Sequence, residues 1–173
     1  IDALARRSCK LGQVTIRFIK KLHKMSLSKY VSNVKVIDHP IETVFDTLSD
    51  FQNLSIYLNK DVLAAVSEKI PQVNIRNFES DYDSCRFEIG NLGNAAIRIV
   101  ERTPHSTIKI KGEGSLPLEL TMWIQLLPLE NSRTKMRLTL HAEIGMMVKM
   151  MVGNKLESGI DQLAESLVRL PYR

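Results

Sequence analysis

The most regular pattern of apolar and polar positions lies near the end of the chain. Val152, Leu156, Ile160, Leu163, Leu167 and Leu170 recur four, four, three, four and three residues apart, the spacing of one face of an α-helix. That stripe predicts a helix from about Met147 to Leu170, roughly 36 Å long at 1.5 Å per residue, stopped by Pro171. Lys155, Glu157, Asp161 and Glu165 fall off the stripe and are expected to face water. Nearer the start, Tyr30 to Ile37 alternates β-branched with polar residues and predicts a first strand. Asp38-His39-Pro40 ends it, and proline is tolerated in a first helical turn because its missing N–H would be unpaired there. Ile41, Val44, Phe45 and Leu48 follow at helical spacing. Ser49-Asp50 breaks that helix and can cap a second short one through Leu54 and Leu58. Val62 to Ile70 predicts a further helical turn or two before Pro71.

From Val73 to Ile144 the period changes to that of strands. Val73–Ile75 opens the run, and Asn77-Phe78-Glu79 leads into a polar turn at Asp81-Tyr82-Asp83. Arg86–Ile89 comes before a hairpin signal at Asn91-Leu92-Gly93-Asn94. Ala95–Arg102 and Thr107–Glu113 flank Pro104-His105, and Leu118–Leu129 and Thr134–Ile144 flank Glu130-Asn131-Ser132. Connections this short force antiparallel pairing, because a parallel partner needs a crossover of a dozen or more residues. The order is strand, two short helices, about six antiparallel strands and one long helix. It predicts an α+β domain over residues 25–173, with a curved sheet gripping the terminal helix.

That geometry predicts a hollow. A twisted sheet of this width curls, and one helix about 10–12 Å across cannot fill its concave face everywhere. Aromatic residues make up 6% of the chain, a thin supply of bulk to plug the remainder. An apolar pocket with a small mouth suits a lipid-like or aromatic molecule.

Composition changes this picture in two places. The net charge of +5 is unevenly spread: residues 1–24 carry seven Lys and Arg against Asp2 alone, and the other 149 residues hold 17 basic and 18 acidic side chains. The main domain therefore lacks the electrostatic footprint of a nucleic-acid binder. Within residues 1–24, Leu4, Leu11, Val14, Phe18 and Leu22 fit one helical face. They predict a basic amphipathic leader, either an added extension or a segment for peripheral contact with a membrane or protein. The sequence begins at Ile1, and Met25 reads as a natural start. Arg17, Lys20 and Lys21 interrupt any secretory-type apolar stretch. Cys9 and Cys85 form no disulfide framework. Cys85 reads as a core residue, and a reduced, cytoplasmic setting is expected.

The stretch Val36-Ile37-Asp38-His39-Pro40-Ile41-Glu42-Thr43-Val44-Phe45-Asp46-Thr47-Leu48-Ser49-Asp50, with the long terminal helix, resembles the helix-grip superfamily. That superfamily includes START lipid-transfer domains, birch-pollen-allergen-like proteins and bacterial polyketide cyclases, and the resemblance covers nearly all of residues 25–173. The opening segment is also similar to the ubiquinone-binding branch, whose later Pro-Trp-Cys-type element has no counterpart here. The resemblance implies a ligand-binding cavity but no common chemistry, since carriers, receptors, cyclases and co-chaperones share the fold.

Seven residues are candidates for the cavity. Met146, Met147, Met150 and Met151 cluster at the start of the long helix, where the mouth is expected, and methionine adapts to variable apolar shapes as readily as it fills gaps in a core. Trp123 alternates with Leu120, Met122, Ile124 and Leu126 and falls with polar Thr121 and Gln125. It is therefore placed outward, with the cavity floor as the other reading. Arg98 shares a face with Ala96 and Val100, and turned inward would offer a guanidinium to a carboxylate or phosphate. His141 shares its side with Thr139 and Glu143. The sequence holds no Gly-rich phosphate loop, zinc-spaced cysteines, His-Glu-x-x-His pattern or nucleophile elbow. No cofactor or metal is expected. The reading is a binder or carrier of a small hydrophobic ligand (lipid, isoprenoid or polyketide-like). The alternatives are a cyclase, dehydratase or hydrolase acting in the same cavity, or an interaction module recruited by residues 1–24.

Overall fold

The computed structural model describes residues 26–57, 75–89, 93–114 and 119–173. The leader, Leu58, the Val62–Ile70 turns and Asn91-Leu92 lie outside the described residues, as do the side chains of 146–148 and 150–154 in the long helix. The elements are β1 Ser26–Val31, β2 Lys35–Ile37, α1 Ile41–Leu48, α2 Phe51–Ser55, β3 Ile75–Ser80, β4 Ser84–Ile89, β5 Gly93–Thr103, β6 Thr107–Gly114, β7 Glu119–Leu129, β8 Arg133–Ile144 and α3 Met146–Val168. All eight strands join one antiparallel sheet in the order β1-β8-β7-β6-β5-β4-β3, with β2 also paired to β8.

The expected first strand is in fact two. β1 starts at Ser26 and the chain leaves the ladder at Ser32, where a side chain takes over the pairing. Ser32 N–H donates to the Leu138 carbonyl at 3.0 Å, and Ser32 Oγ accepts from the Leu138 N–H at 3.0 Å. The ladder bonds of Leu138 are thus kept while the backbone bends toward β2.

Both short helices form where expected. Pro40 stands at the N-cap of α1, and its carbonyl accepts from Val44 N–H at 3.1 Å. Ile41, Val44, Phe45 and Leu48 are buried. Asp50 Oδ1 caps α2 by accepting from the N–H groups of Gln52 and Asn53 at 2.8 and 3.2 Å, two of the orphan donors that a first turn leaves free.

The long helix sits rotated from the expected stripe. Ile160 and Ala164 are buried, whereas Leu163 is 40% exposed. A small residue faces the sheet because α3 runs close over β8, β1 and β2. That closeness also corrects the expectation that Asp161 and Glu165 merely face water. Asn33 N–H and Nδ2 donate to the two Asp161 carboxylate oxygens at 2.8 and 3.1 Å. Lys35 Nζ lies 2.9 Å from Glu165 Oε2 and 3.7 Å from Asp161 Oδ2. After α3, the buried Tyr172 donates its hydroxyl to the Leu167 carbonyl at 2.6 Å and locks the chain end down.

One backbone position in β6 admits only glycine. Gly114 has φ +118°, and a Cβ there would stand 2.7 Å from the Asn94 carbonyl oxygen across the pairing with β5. Only glycine lets the two backbones approach so closely in that conformation.

Candidate ligand-binding face

Period-2 alternation assigns each strand residue to a face. In β7 and β8 the even-numbered residues turn to the concave side: Ile124, Leu126, Met136 and Leu138 are nearly or wholly inaccessible. Cross-strand register extends this assignment. Ile110 and Ile99 lie in the row of Met122, and Gly112 and Ile97 in the row of Leu120.

The concave face has two unlike halves. In one, Ile99, Ile108, Ile124, Leu126, Met136 and Leu138 form a continuous core with Val44 and Leu48 of α1, Phe51 of α2, and Ile160 and Ala164 of α3. In the other, Tyr30, Phe87, Ile97, Leu120, Met122 and Leu140 also point inward but are only half-buried, while Cys85, Ala95, Ala142 and Ile144 around them are buried. Gly112 stands between Ile97 and Leu120 and contributes no side chain, and a Cβ there would already be 3.2 Å from Leu120. Apolar surface on this patch therefore remains partly accessible, and the Leu120 side chain packs over the glycine.

The polar groups on this side are few. Ser28, on the concave face of β1 beside Ala142, has a buried Oγ with no hydrogen-bond partner. The Tyr30 hydroxyl lies two residues along the same strand face. Among the described residues the half-buried patch carries no carboxylate, imidazole or amine. Burial pushes the Cys85 thiol up to about 12, which disfavours the reactive thiolate form. No group of three or more His, Cys, Asp and Glu side chains gathers at metal-ligating spacing among the described residues, and none of their helices is long and apolar enough to cross a membrane.

Three of the sequence candidates stand elsewhere. Arg98, Trp123 and His141 occupy the convex face and do not line the concave side. Buried Ile124 and Leu126 fix the parity of β7, and Leu138 and Ala142 fix that of β8, so their odd-numbered neighbours point away. Arg98 Nε bonds both Glu113 oxygens at 3.2 and 3.3 Å. Trp123 meets His141 edge to face at 4.7 Å between ring centroids, with Lys109 Nζ 5.7 Å from the Trp123 ring centre. The side chains of Met146, Met147, Met150 and Met151 lie outside the described residues. The residues of the half-buried patch read in the sequence as ordinary core positions. Period-2 alternation marks them as inward and does not separate them from the fully buried positions.

No family model matches the sequence, and no curated protein does. Solved structures do. Norcoclaurine synthase from Thalictrum flavum, solved in complex with dopamine and hydroxybenzaldehyde, superposes with a TM-score of 0.57 at 6% identity, over 87% of this chain and 90% of that one. A Rhizobium loti protein solved by structural genomics gives 0.54 at 16% identity, over 84% and 98%. A truncated form of the Thalictrum flavum enzyme gives 0.56 at 9% identity, over 83% and 92%. This is the helix-grip fold. The resemblance read from Val36–Asp50 and the terminal helix is borne out at the level of the fold, which identities this low show and nothing further. Within the helix-grip framework the open half of the concave face is the candidate site, and α3 is the element that closes over the sheet beside it.

Proposed function

We propose that the chain binds and carries a small hydrophobic molecule, held against the open half of the concave face. The observation that supports this reading is the half-buried patch of Tyr30, Phe87, Ile97, Leu120, Met122 and Leu140 around Gly112, next to a core packed solid. Inward-facing apolar residues normally bury fully in a domain with enough of them. A ligand covering on the order of 200 Å² of apolar surface would contribute about 5 kcal/mol at 25 cal/mol per Å², before its lost freedom of motion is subtracted. The hydroxyls of Ser28 and Tyr30 could orient a polar end. A carrier needs no more than this, whereas a cyclase or dehydratase needs an acid and a base converging on one atom.

Native mass spectrometry after mild purification tests the reading. The wild-type chain is expected to retain a co-purifying small molecule. An Ile97→Trp variant, which places a larger side chain on the half-buried patch, is expected to fold and to lose that added mass. A wild-type chain carrying no added mass, or a variant carrying the same one, would count against the proposal.

A further inference from the structure

The convex face presents a groove of about 280 Å³ between β1, β8 and β7. We infer that this groove is a second binding site, taking a small aromatic anion: a ring against Trp123, with its carboxylate or phosphate between Lys29 and Arg137. Its volume lies near the lower end of the range for ligand pockets, about 300–1,000 Å³, which suits one ring with one charged group.

The case rests on the direction of the hydrogen-bonding groups. Gln125 Oε1 accepts from Arg137 Nε at 3.2 Å and from Thr139 Oγ1 at 3.2 Å. Those two bonds occupy the side-chain carbonyl oxygen of the lining and leave the Gln125 amide nitrogen without a described acceptor. The remaining lining groups are the Lys29 ammonium, the outer guanidinium N–H groups of Arg137, the Trp123 indole N–H and the His141 ring. The lining is therefore rich in donors and cations, and among the described residues no carboxylate pairs with Lys29 or Arg137. The nearest carboxylates by register lie one row beyond: Glu143 is paired to Leu27 and Glu119. On β5 and β6, Glu101 and Glu113 are held by Lys109 and Arg98.

Strand register strengthens the argument. Lys29 lies directly opposite His141, which is opposite Thr121, which is opposite Lys111, which is opposite Arg98. Among the described residues neither Lys29 nor Lys111 has an ion-pair partner. An anion seated beside Lys29 and Arg137 would accept charge-assisted hydrogen bonds, while the exposed part of Trp123 gives an aromatic ring a stacking surface. The basic leader is a poor occupant, since its charge has the same sign as the groove.

The chain has one tryptophan, so ¹H–¹⁵N spectra of the full-length protein contain one indole signal, and it reports this site. Titration with benzoate and with phenyl phosphate distinguishes a carboxylate from a phosphate ligand, and benzyl alcohol is the uncharged control. At least one anion is expected to shift the indole signal saturably, with benzyl alcohol at equal concentration leaving it in place. Lys29 and Arg137 are exposed, so a Lys29→Gln/Arg137→Gln variant should fold normally and weaken binding by about ten-fold or more. The inference is overturned by the absence of saturation with either anion in the millimolar range, by an equal response to benzyl alcohol, or by unchanged affinity in the double variant. A shift produced by a DNA oligonucleotide but by neither small anion would overturn it in favour of a polyanion surface. Ligand loss from the concave face would leave each of these outcomes unaltered.

Discussion

Single residues in this chain matter mainly where the backbone gives them no alternative. Arg98 and Arg102 stand four apart on β5 and do opposite things. Arg98 pairs with Glu113 on the convex surface, while Arg102, beyond the register shift between Ile99 and Glu101, turns toward α1 and α2. There its Nε donates to the Ser49 carbonyl at 3.0 Å and its Nη2 to the Tyr82 carbonyl at 3.2 Å. Nη1 reaches Asp83 at 2.7 Å, and the guanidinium lies over the Tyr82 ring. Gly114 is the plainest constraint. Alanine there must hold φ near +118° and place its Cβ 2.7 Å from the Asn94 oxygen, so β5 and β6 must separate or the turn must strain. Gly114→Ala should destabilise the fold by about 1–3 kcal/mol, read as a lower urea midpoint. An unchanged midpoint would mean that the close approach is not maintained in solution.

At the scale of elements, the C-terminal half of α3 is fastened by charge as well as by packing. Hydrogen bonds from the Asn33 backbone and side chain hold Asp161 below the usual carboxylate range. The hydrogen bond and charge of Lys35 hold Glu165 below it, and those carboxylates raise Lys35 in return. A carboxylate depressed by folding stabilises the protein at all pH values above its unfolded pKa, and the benefit is lost as pH falls through the folded value. The raised Lys35 stabilises below its unfolded pKa and loses that effect as pH rises through the folded one. The melting temperature is therefore expected to fall as pH drops below the ordinary carboxylate range, near 4, and an Asp161→Asn/Glu165→Gln variant should show a flatter acid limb. Superimposable acid limbs would remove the clasp from the account. This fastening was hard to see in the sequence, because Asp161 and Glu165 read as ordinary polar positions of an amphipathic helix. Their partners Asn33 and Lys35 lie more than 120 residues earlier, in a segment that reads as unbroken strand. What the alternation did carry was the order of elements and the outward parity of Trp123. It could not carry the Ser32 break, which a serine side chain makes by replacing a backbone bond, nor the choice of Ala164 over Leu163 beneath the helix, which only the approach of α3 to β1 and β2 decides.

Across the whole molecule, one sheet presents two faces and the concave one is divided. The thinness of a single helix against a curved sheet was legible from lengths and periods alone. Which inward residues stay half-buried was not, because that depends on how far α1 and α2 reach over the concave face. Met136 and Met122 mark the two sides of the division on neighbouring strands: Met136 is wholly buried in the packed half, and Met122 is half-buried in the open half. The most direct test of the account is methyl NMR of the seven methionines in the presence of 1-octanol. Intermolecular NOEs from octanol to the Met122 methyl, with none to Met136, are the predicted result. NOEs absent from both methyls, or equal at both, would contradict the claim that this half of the concave face is open to an apolar guest.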